Sequence, residues 1–441
     1  MDYFSEELKQ GIKIHYRNTN KYKTNLITVF LSVPLNKQTV TKNALITSIL
    51  RLGTKQRPTQ EEISKKLEEM YGAEFNCGVE KIGEVQLLKF YIEVLNDEFL
   101  PQKENLLEEA INQLLEIIFN PITENDGFLK EYMETEKVNL KNIIESKIND
   151  KEQYSFDRCI EEMYKDSPYS IYKYGYVQDL EKLTGEELYN QYKELIKTAK
   201  IDIYVSGKFN QNEIKGIIQN NPNIQKLLPR TVGNDALVVP NSNNNKPTAN
   251  VVGNDASVVP SQNNYPNTIE EKQNVTQGKL VIGLDVNDTN KDSKYVTAIY
   301  NVILGASATS KLFQNVREKA SLAYSARSVY IRQKNNIYIR CGIEIENYDK
   351  AMPIIYKQLD DMKKGDFNIE DIDSAKRTFV SAIKAIQDEQ DAEITYFISQ
   401  ELSGDKPDFA EYEEKIKAVT KEQVQDIANK ISVNTVYFLR N

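Results

Sequence analysis

The sequence predicts an α+β fold of two homologous domains. Each is expected to be a mostly antiparallel sheet covered by helices on one face, and a low-complexity linker is expected to join them. Three observations lead there. The order of strand-like and helix-like stretches in residues 1–228 recurs in residues 269–441. Both halves end on one pattern: LTGEELYNQYKELI and VTKEQVQDIANKI each lead into a last strand. The segment between them, 229–268, differs in composition from both.

In the first half, NLITVFLSV (25–33) alternates apolar and polar residues as a half-buried strand does. Helices follow at 43–52 and 60–71, then strands near 73–80 and 85–95. In 105–119, Leu107, Ala110, Ile111, Leu114, Leu115 and Ile118 form one helical stripe. Helices at 127–147, 152–163 and 185–196 precede a strand at 201–205. The second half opens on the strand KLVIGLDV (279–286), with helices near 292–304 and 308–319. Strands near 322–332 and 336–345 follow, then helices at 348–363, 369–388, 391–403 and 421–430 and a closing strand at 435–439. IEV at 92–94 matches IEI at 343–345 in this register. A unit of about 200 residues is too long for a solenoid repeat, so two α+β domains account for the duplication.

The linker holds VGNDALVVPNSNNN at 232–245 and VGNDASVVPSQNN at 252–264. Asn, Pro and Ser dominate, and few large apolar residues could offset the entropy of ordering it, so a mobile tether is expected.

Composition excludes several functions. Lys and Arg number 56 against 65 Asp and Glu, a net charge of −9. An acidic surface repels phosphate backbones, so no nucleic acid is expected as a partner. MDYFSEELKQGIKIHY lacks the form of a signal peptide, and no apolar run is long enough to span a bilayer. The scattered Cys77, Cys159 and Cys341 are no disulfide framework and fit a reducing, cytoplasmic setting. There is one histidine, His15, read as a strand residue near the surface. One imidazole and unclustered thiols argue against a zinc site or a Ser-His-Asp triad within this chain.

One segment carries chemistry: ILGASATSKLFQNVREKASLAYSARS, residues 303–328. A Gly/Ser loop leads into a helix bearing Arg317, then a strand bearing Tyr324 seven residues on. Arg317, Tyr324, the flanking Leu312, Phe313, Leu322 and Ala323, and the preceding Gln277-Gly278-Lys279-Leu280 resemble the C-terminal domain signature of the peptidase M16 family, the insulinase/pitrilysin-like metallopeptidases. With the duplication, the resemblance covers nearly the whole chain apart from the linker. It implies the LuxS/metallopeptidase-like domain fold. It also implies that Arg317 and Tyr324 bind substrate close to a zinc held by the other domain. Attack on a peptide carbonyl builds negative charge on oxygen, and a guanidinium and a phenol are donors suited to hold it.

The first half departs from the family. Active members carry HxxEH on the first helix, two imidazoles one turn apart with a Glu as general base. Here that helix reads NALITSILRLGTKQRP. Counting back from Gly53-Thr54, the ligand positions hold Ala44 and Ser48, and the base position holds Thr47. The third ligand is a Glu seven residues after another Glu; with Glu136 as the first, Ile143 stands at that position, and Glu145 would face elsewhere. Asn149-Asp150-Lys151 and Asp157-Arg158-Cys159 resemble the non-catalytic subfamily, with Asp157 and Arg158 read as structural.

The resemblance therefore implies a chain that binds no metal and has no catalytic residue of its own. It would be the non-catalytic subunit of a heterodimeric zinc peptidase acting on peptides, with zinc expected in a partner M16 subunit that carries HxxEH. The alternative is an inert scaffold subunit of a larger assembly, with Arg317 and Tyr324 as packing relics. A metal-independent enzyme would need a nucleophile–base constellation, and the sequence offers none.

Overall fold

The computed structural model describes residues 3–102, 104–227, 267–405 and 408–441. The linker expected at 229–268 lies outside the described residues except for Asn267 and Thr268. The first half runs β1 (Phe4–Lys9), β2 (Ile12–Asn18), β3 (Thr24–Pro34), α1 (Val40–Leu50), α2 (Gln60–Glu69), β4 (Glu74–Ile82), β5 (Val85–Leu95), α3 (Leu106–Phe119), α4 (Lys130–Ser146), α5 (Lys151–Met163), α6 (Val177–Leu180), α7 (Gly185–Thr198), β6 (Lys200–Gly207), α8 (Gln211–Asn220) and α9 (Pro222–Gln225). The second runs β7 (Thr268–Lys272), β8 (Gly278–Val286), α10 (Ser293–Leu304), β9 (Ala323–Ile331), β10 (Asn336–Ile343), α11 (Tyr348–Lys364), α12 (Ile369–Gln387), α13 (Gln390–Leu402), α14 (Phe409–Ala418), α15 (Lys421–Asn429) and β11 (Ile431–Arg440).

The duplication is explicit in the sheets. The first has the order β1-β2-β6-β3-β5-β4 and the second β7-β11-β8-β10-β9. Without β1 the two orders are the same, strand for strand. Each contains one parallel pair, β2 with β6 and β7 with β11, and is otherwise antiparallel. This is the mixed α+β architecture that the strand and helix order predicts.

Alternation explains the packing. Ile27, Val29 and Leu31 of β3 and Ile201, Ile203 and Val205 of β6 point into one buried cluster. That cluster takes Leu107, Ala110, Ile111, Leu114, Leu115 and Ile118 from α3, the stripe expected from its spacing. Fully burying each large apolar side chain contributes roughly 1.5–3 kcal/mol.

The compact units are not the contiguous halves that the sequence led us to expect. Unit 1 is Met1–Ser146, Ile171–Val239 and Ile386–Pro407, and unit 2 is Lys147–Ser170, Pro240–Ala385 and Asp408–Asn441. Each half lends the other one long helix. In unit 2, Cys159 and Ile160 of α5 bury Val281, Tyr338, Tyr437 and Leu439 on the sheet. In unit 1, α13 packs on β3, and its Phe397 meets Tyr3, which in turn meets Tyr204 of β6. Both sheets thus carry helices on their apolar face and one borrowed helix on the other.

Candidate functional site

The zinc-motif corner of unit 1 is closed. Ala44 and Thr47 of α1 are buried. The Thr47 hydroxyl donates to the Asn43 carbonyl one turn back, 2.9 Å away, a bond that satisfies it inside the helix. Ser48 is half-buried. Ile143 is 41% exposed on α4. Glu136 is buried on α4, 3.6 Å from the Arg51 guanidinium, and accepts from Asn139 at 2.9 Å. Glu145 is exposed, 3.8 Å from Lys141 on its own helix. Cys77 of β4 lies with Sγ 3.4 Å from the Thr47 carbonyl oxygen. Burial pushes its thiol up to about 11, with Arg51 pulling the other way, so it is inert at neutral pH. An alanine, two hydroxyls and a hydrocarbon stand at the four positions, and zinc does not fit that set.

The Arg317/Tyr324 corner of unit 2 is open. It begins at Gly305, where α10 ends. A Cβ there would lie 2.6 Å from the Ser328 nitrogen of β9, and this close approach is what glycine permits. Ser328 N donates to the Gly305 carbonyl at 3.0 Å, and Ser328 Oγ to Asn301 Oδ1 at 2.7 Å. The loop is therefore fastened to the strand.

The helix expected at 308–319 is present over 311–319, but beyond its first two residues it is π-helical, over Phe313–Lys319. Asn315 ties it to Gln358 of α11 at 2.8 Å, and Val316 is its buried residue. Arg317 points outward from this turn, its side chain 43% exposed. Its guanidinium lies over the Phe313 ring, 4.6 Å from the centroid, and 3.7 Å from Glu318. Ser321 then takes a left-handed backbone (φ 53°) to lead into β9. The π-turn packs along β9, so Arg317 and Tyr324 sit on adjoining elements.

Tyr324 is also at an irregularity. Ser325 pairs with Gly342 and Ala323 with Ile343, which leaves Tyr324 as the extra residue of a β-bulge. Bulges re-aim side chains, and Tyr324 is 62% exposed. Its hydroxyl donates to the Glu344 carboxylate just past β10. That carboxylate holds the phenol above the ordinary tyrosine range. Beside this corner a cavity of about 480 Å³ is lined by Gly305–Ala308, Phe313, Ala326–Val329 and Arg340. Glu152 of α5 meets both Arg327 and Arg340 there.

Sequence reasoning missed Glu344, the π-turn and the bulge. The match of IEI to IEV marked the position of Glu344 without a role. Register shifts of one residue leave no compositional trace.

His15 is not near the surface; it is 1% exposed. Strand alternation puts it on the face of sheet 1 that α13 covers, a helix contributed from the far end of the chain. Its Nε2 is 3.0 Å from Asp202 and 3.8 Å from Glu401, and its Nδ1 is 2.8 Å from Ser5 Oγ. These residue types could ligate a metal. However, Lys13 lies 3.0 Å from Glu401 and Lys200 3.2 Å from Asp202, so two ammonium groups already balance the two carboxylates. On α5, Arg158 donates to Glu161, Glu162 and Glu271 at 2.6, 3.0 and 3.1 Å. Asp157 lies 3.3 Å from Lys147. Both are structural contacts.

Comparison with known proteins bears on this geometry. A profile described as the peptidase M16 inactive domain matches residues 182–379. A Bacillus subtilis (strain 168) protein named probable inactive metalloprotease YmfF is 31% identical over 441 residues, spanning 99% of this chain and 98% of that protein. Among solved structures, a conserved protein from Enterococcus faecalis V583 superposes with a TM-score of 0.85 at 27% identity, over 100% of this chain and 99% of that one. A protease from Helicobacter pylori superposes with a TM-score of 0.74 at 14% identity, over 100% and 99%. A peptidase M16 inactive domain from Pseudomonas fluorescens gives 0.74 at 14%, over 100% and 98%; at that identity the likeness is one of fold. No helix among the described residues is long and apolar enough to cross a membrane. Related along its whole length to a probable inactive metalloprotease, and with no donor set for zinc at the motif positions, the chain belongs to the peptidase M16 family as a non-catalytic member.

Proposed function

We propose that this chain is the substrate-holding subunit of a two-chain zinc peptidase, supplying Arg317 and Tyr324 to a partner M16 subunit that carries HxxEH and the zinc. The observation that carries the reading is the backbone at the two residues. Arg317 sits in a π-helical turn and Tyr324 in a β-bulge. Both irregularities concentrate at functional sites, and both leave the side chain facing solvent. A guanidinium donates from a planar, permanently charged fork and a phenol through one O–H. Placed around the carbonyl oxygen of a bound peptide, they stabilise the charge that develops there as the carbonyl is attacked. Loss of one such donor costs on the order of 10²–10³ in rate. The substrate class is peptides or unfolded segments.

The scaffold reading has one observation in its favour. Both groups are engaged within the chain, Arg317 on Phe313 and Tyr324 on Glu344. Peptide cleavage by the purified pair of subunits separates the readings. With Arg317→Ala or Tyr324→Phe we expect kcat to fall by about 10² or more. Stability should change within about 0.5 kcal/mol, as for surface changes. The double variant should be less than additive if both residues hold one oxygen. Full activity in both single variants would make this chain a scaffold.

A further inference from the structure

We propose that Glu344 selects the substrate of this site, favouring a peptide with a cationic side chain next to the carbonyl held by Arg317 and Tyr324. The inference rests on the assignment of that pair as the substrate-holding site. Tyr324 would otherwise offer its O–H freely to a peptide carbonyl. In the structure that O–H is already given to the Glu344 carboxylate. Glu344 is half-buried, follows β10 directly, and forms no ion pair with a lysine or arginine among the described residues. It is therefore a carboxylate held at the site by a neutral donor, with its charge uncompensated.

Binding then becomes an exchange. A peptide carbonyl takes the Tyr324 hydroxyl, and the Glu344 oxygen it leaves needs a new donor. A lysine or arginine side chain from the same peptide supplies one and compensates the charge. An apolar side chain leaves the carboxylate with water only, and an acidic one meets like-charge repulsion. Discrimination thus arises from both an attractive and a repulsive element. A hydrogen bond to a charged group is strong enough to separate lysine from an uncharged isostere by about tenfold or more. The β-bulge makes the arrangement possible. In regular register Tyr324 would lie on the opposite face of β9, because side chains alternate along a strand.

The test uses the full chain and short fluorescein-labelled, C-terminally amidated peptides that differ only at the central residue: lysine, norleucine or glutamate. Fluorescence anisotropy should rank them lysine, norleucine, glutamate, with lysine ahead of norleucine by about tenfold. In Glu344→Gln the amide oxygen still accepts from Tyr324 but the charge is gone, and the lysine preference should fall below about twofold. Glu346→Gln removes a neighbouring exposed carboxylate and should keep the preference. Arg317→Ala and Tyr324→Phe should weaken all three peptides. An unchanged lysine preference in Glu344→Gln overturns the role of Glu344 and leaves the site standing. Unweakened binding in both Arg317→Ala and Tyr324→Phe, or no binding of any peptide by the unmodified chain, overturns the site and the inference with it.

Discussion

The zinc-motif corner and the Arg317/Tyr324 corner use their polar groups in opposite ways. Around α1 the polar atoms are turned inward: Thr47 bonds its own helix, Asn43 bonds Gln86 at 3.0 Å, and Gln191 donates to Asn43 at 3.0 Å. Arg51 and Glu136 pair across α1 and α4. These contacts leave Asn43, Thr47 and Gln86 little to offer a ligand, while the buried Arg51 Nε has no hydrogen-bond partner among the described residues. Around β9 the π-turn and the bulge both depart from regular geometry, with the left-handed Ser321 between them, and each of the two directs a polar side chain to solvent. The zinc-motif positions on α1 lie in a regular helix, whereas the proposed site lies on irregular backbone, the kind of geometry that clusters at functional sites.

The borrowed helices give the largest way to break this contrast. The residues of the zinc-motif corner all come from the first half, but Arg327 and Arg340, beside the other corner, meet Glu152 of α5. A fragment of residues 269–441 lacks α5, which leaves Val281, Tyr338, Tyr437 and Leu439 uncovered. A fragment of residues 1–228 lacks α13, and with it Glu393, buried against Arg17 at 2.9 Å. We expect neither fragment to give a cooperative thermal transition alone, and a tagged copy of one to bring down the other on co-expression. A sharp transition in either fragment by itself would show that the exchanged helices are ornaments.

The next effect is smaller and tests closure. Rebuilding the motif with Ala44→His, Thr47→Glu and Ser48→His forces bulk and charge into a packed face. Overpacking costs about 1–3 kcal/mol per site, and a carboxylate at the Thr47 position adds to it. The rebuilt chain should melt well below the natural one, by at least about 3 kcal/mol in stability. Elemental analysis should find no stoichiometric zinc in either chain, because Ile143 leaves the third position without a donor. About one zinc per rebuilt chain at unchanged stability would mean that the corner is open after all.

Much of this was legible in the sequence, and the rest was hidden for physical reasons. Alternation in 25–33 and the α3 stripe report one-dimensional periodicity, and both elements formed as expected. β1 went unread because FSEELK is a charged edge strand with only partial burial. The exchange of α5 and α13 was invisible because an amphipathic helix records that it has an apolar face, not which sheet it covers. The burial of His15 follows from that exchange, since its cover, Glu401, lies 386 residues along the chain. The spacing of Arg317 and Tyr324 was readable, but the bulge that aims Tyr324 is a property of pairing between two strands.

The smallest expected effect compares the two repeats at equivalent helix starts. α7 and α15 each precede a last strand and each open on a capping box. Glu187 N donates to Thr184 Oγ1 at 3.2 Å, and Gln423 N to Thr420 Oγ1 at 3.3 Å. The return bonds from the cap nitrogens are 3.0 and 2.9 Å. Thr184→Ala and Thr420→Ala should each cost about 1 kcal/mol. Because the caps lie in different units, the double variant should match the sum within about 0.5 kcal/mol. The repeats differ in charge: the third residue is an ionisable Glu187 in one and Gln423 in the other. The Thr184 backbone N–H, then its hydroxyl, lower the Glu187 carboxyl below its ordinary value. A lowered carboxyl contributes stability that is present above its unfolded pKa of about 4.3 and is lost as pH falls through the folded value. The cost of Thr184→Ala should therefore shrink between pH 7 and about pH 3.5, while that of Thr420→Ala stays level. Urea unfolding of both variants at the two pH values reads the difference directly. Equal pH dependence at the two caps would mean that the charge on Glu187 adds nothing to its capping bond, and that the repeats are equivalent at this point despite the difference in residue.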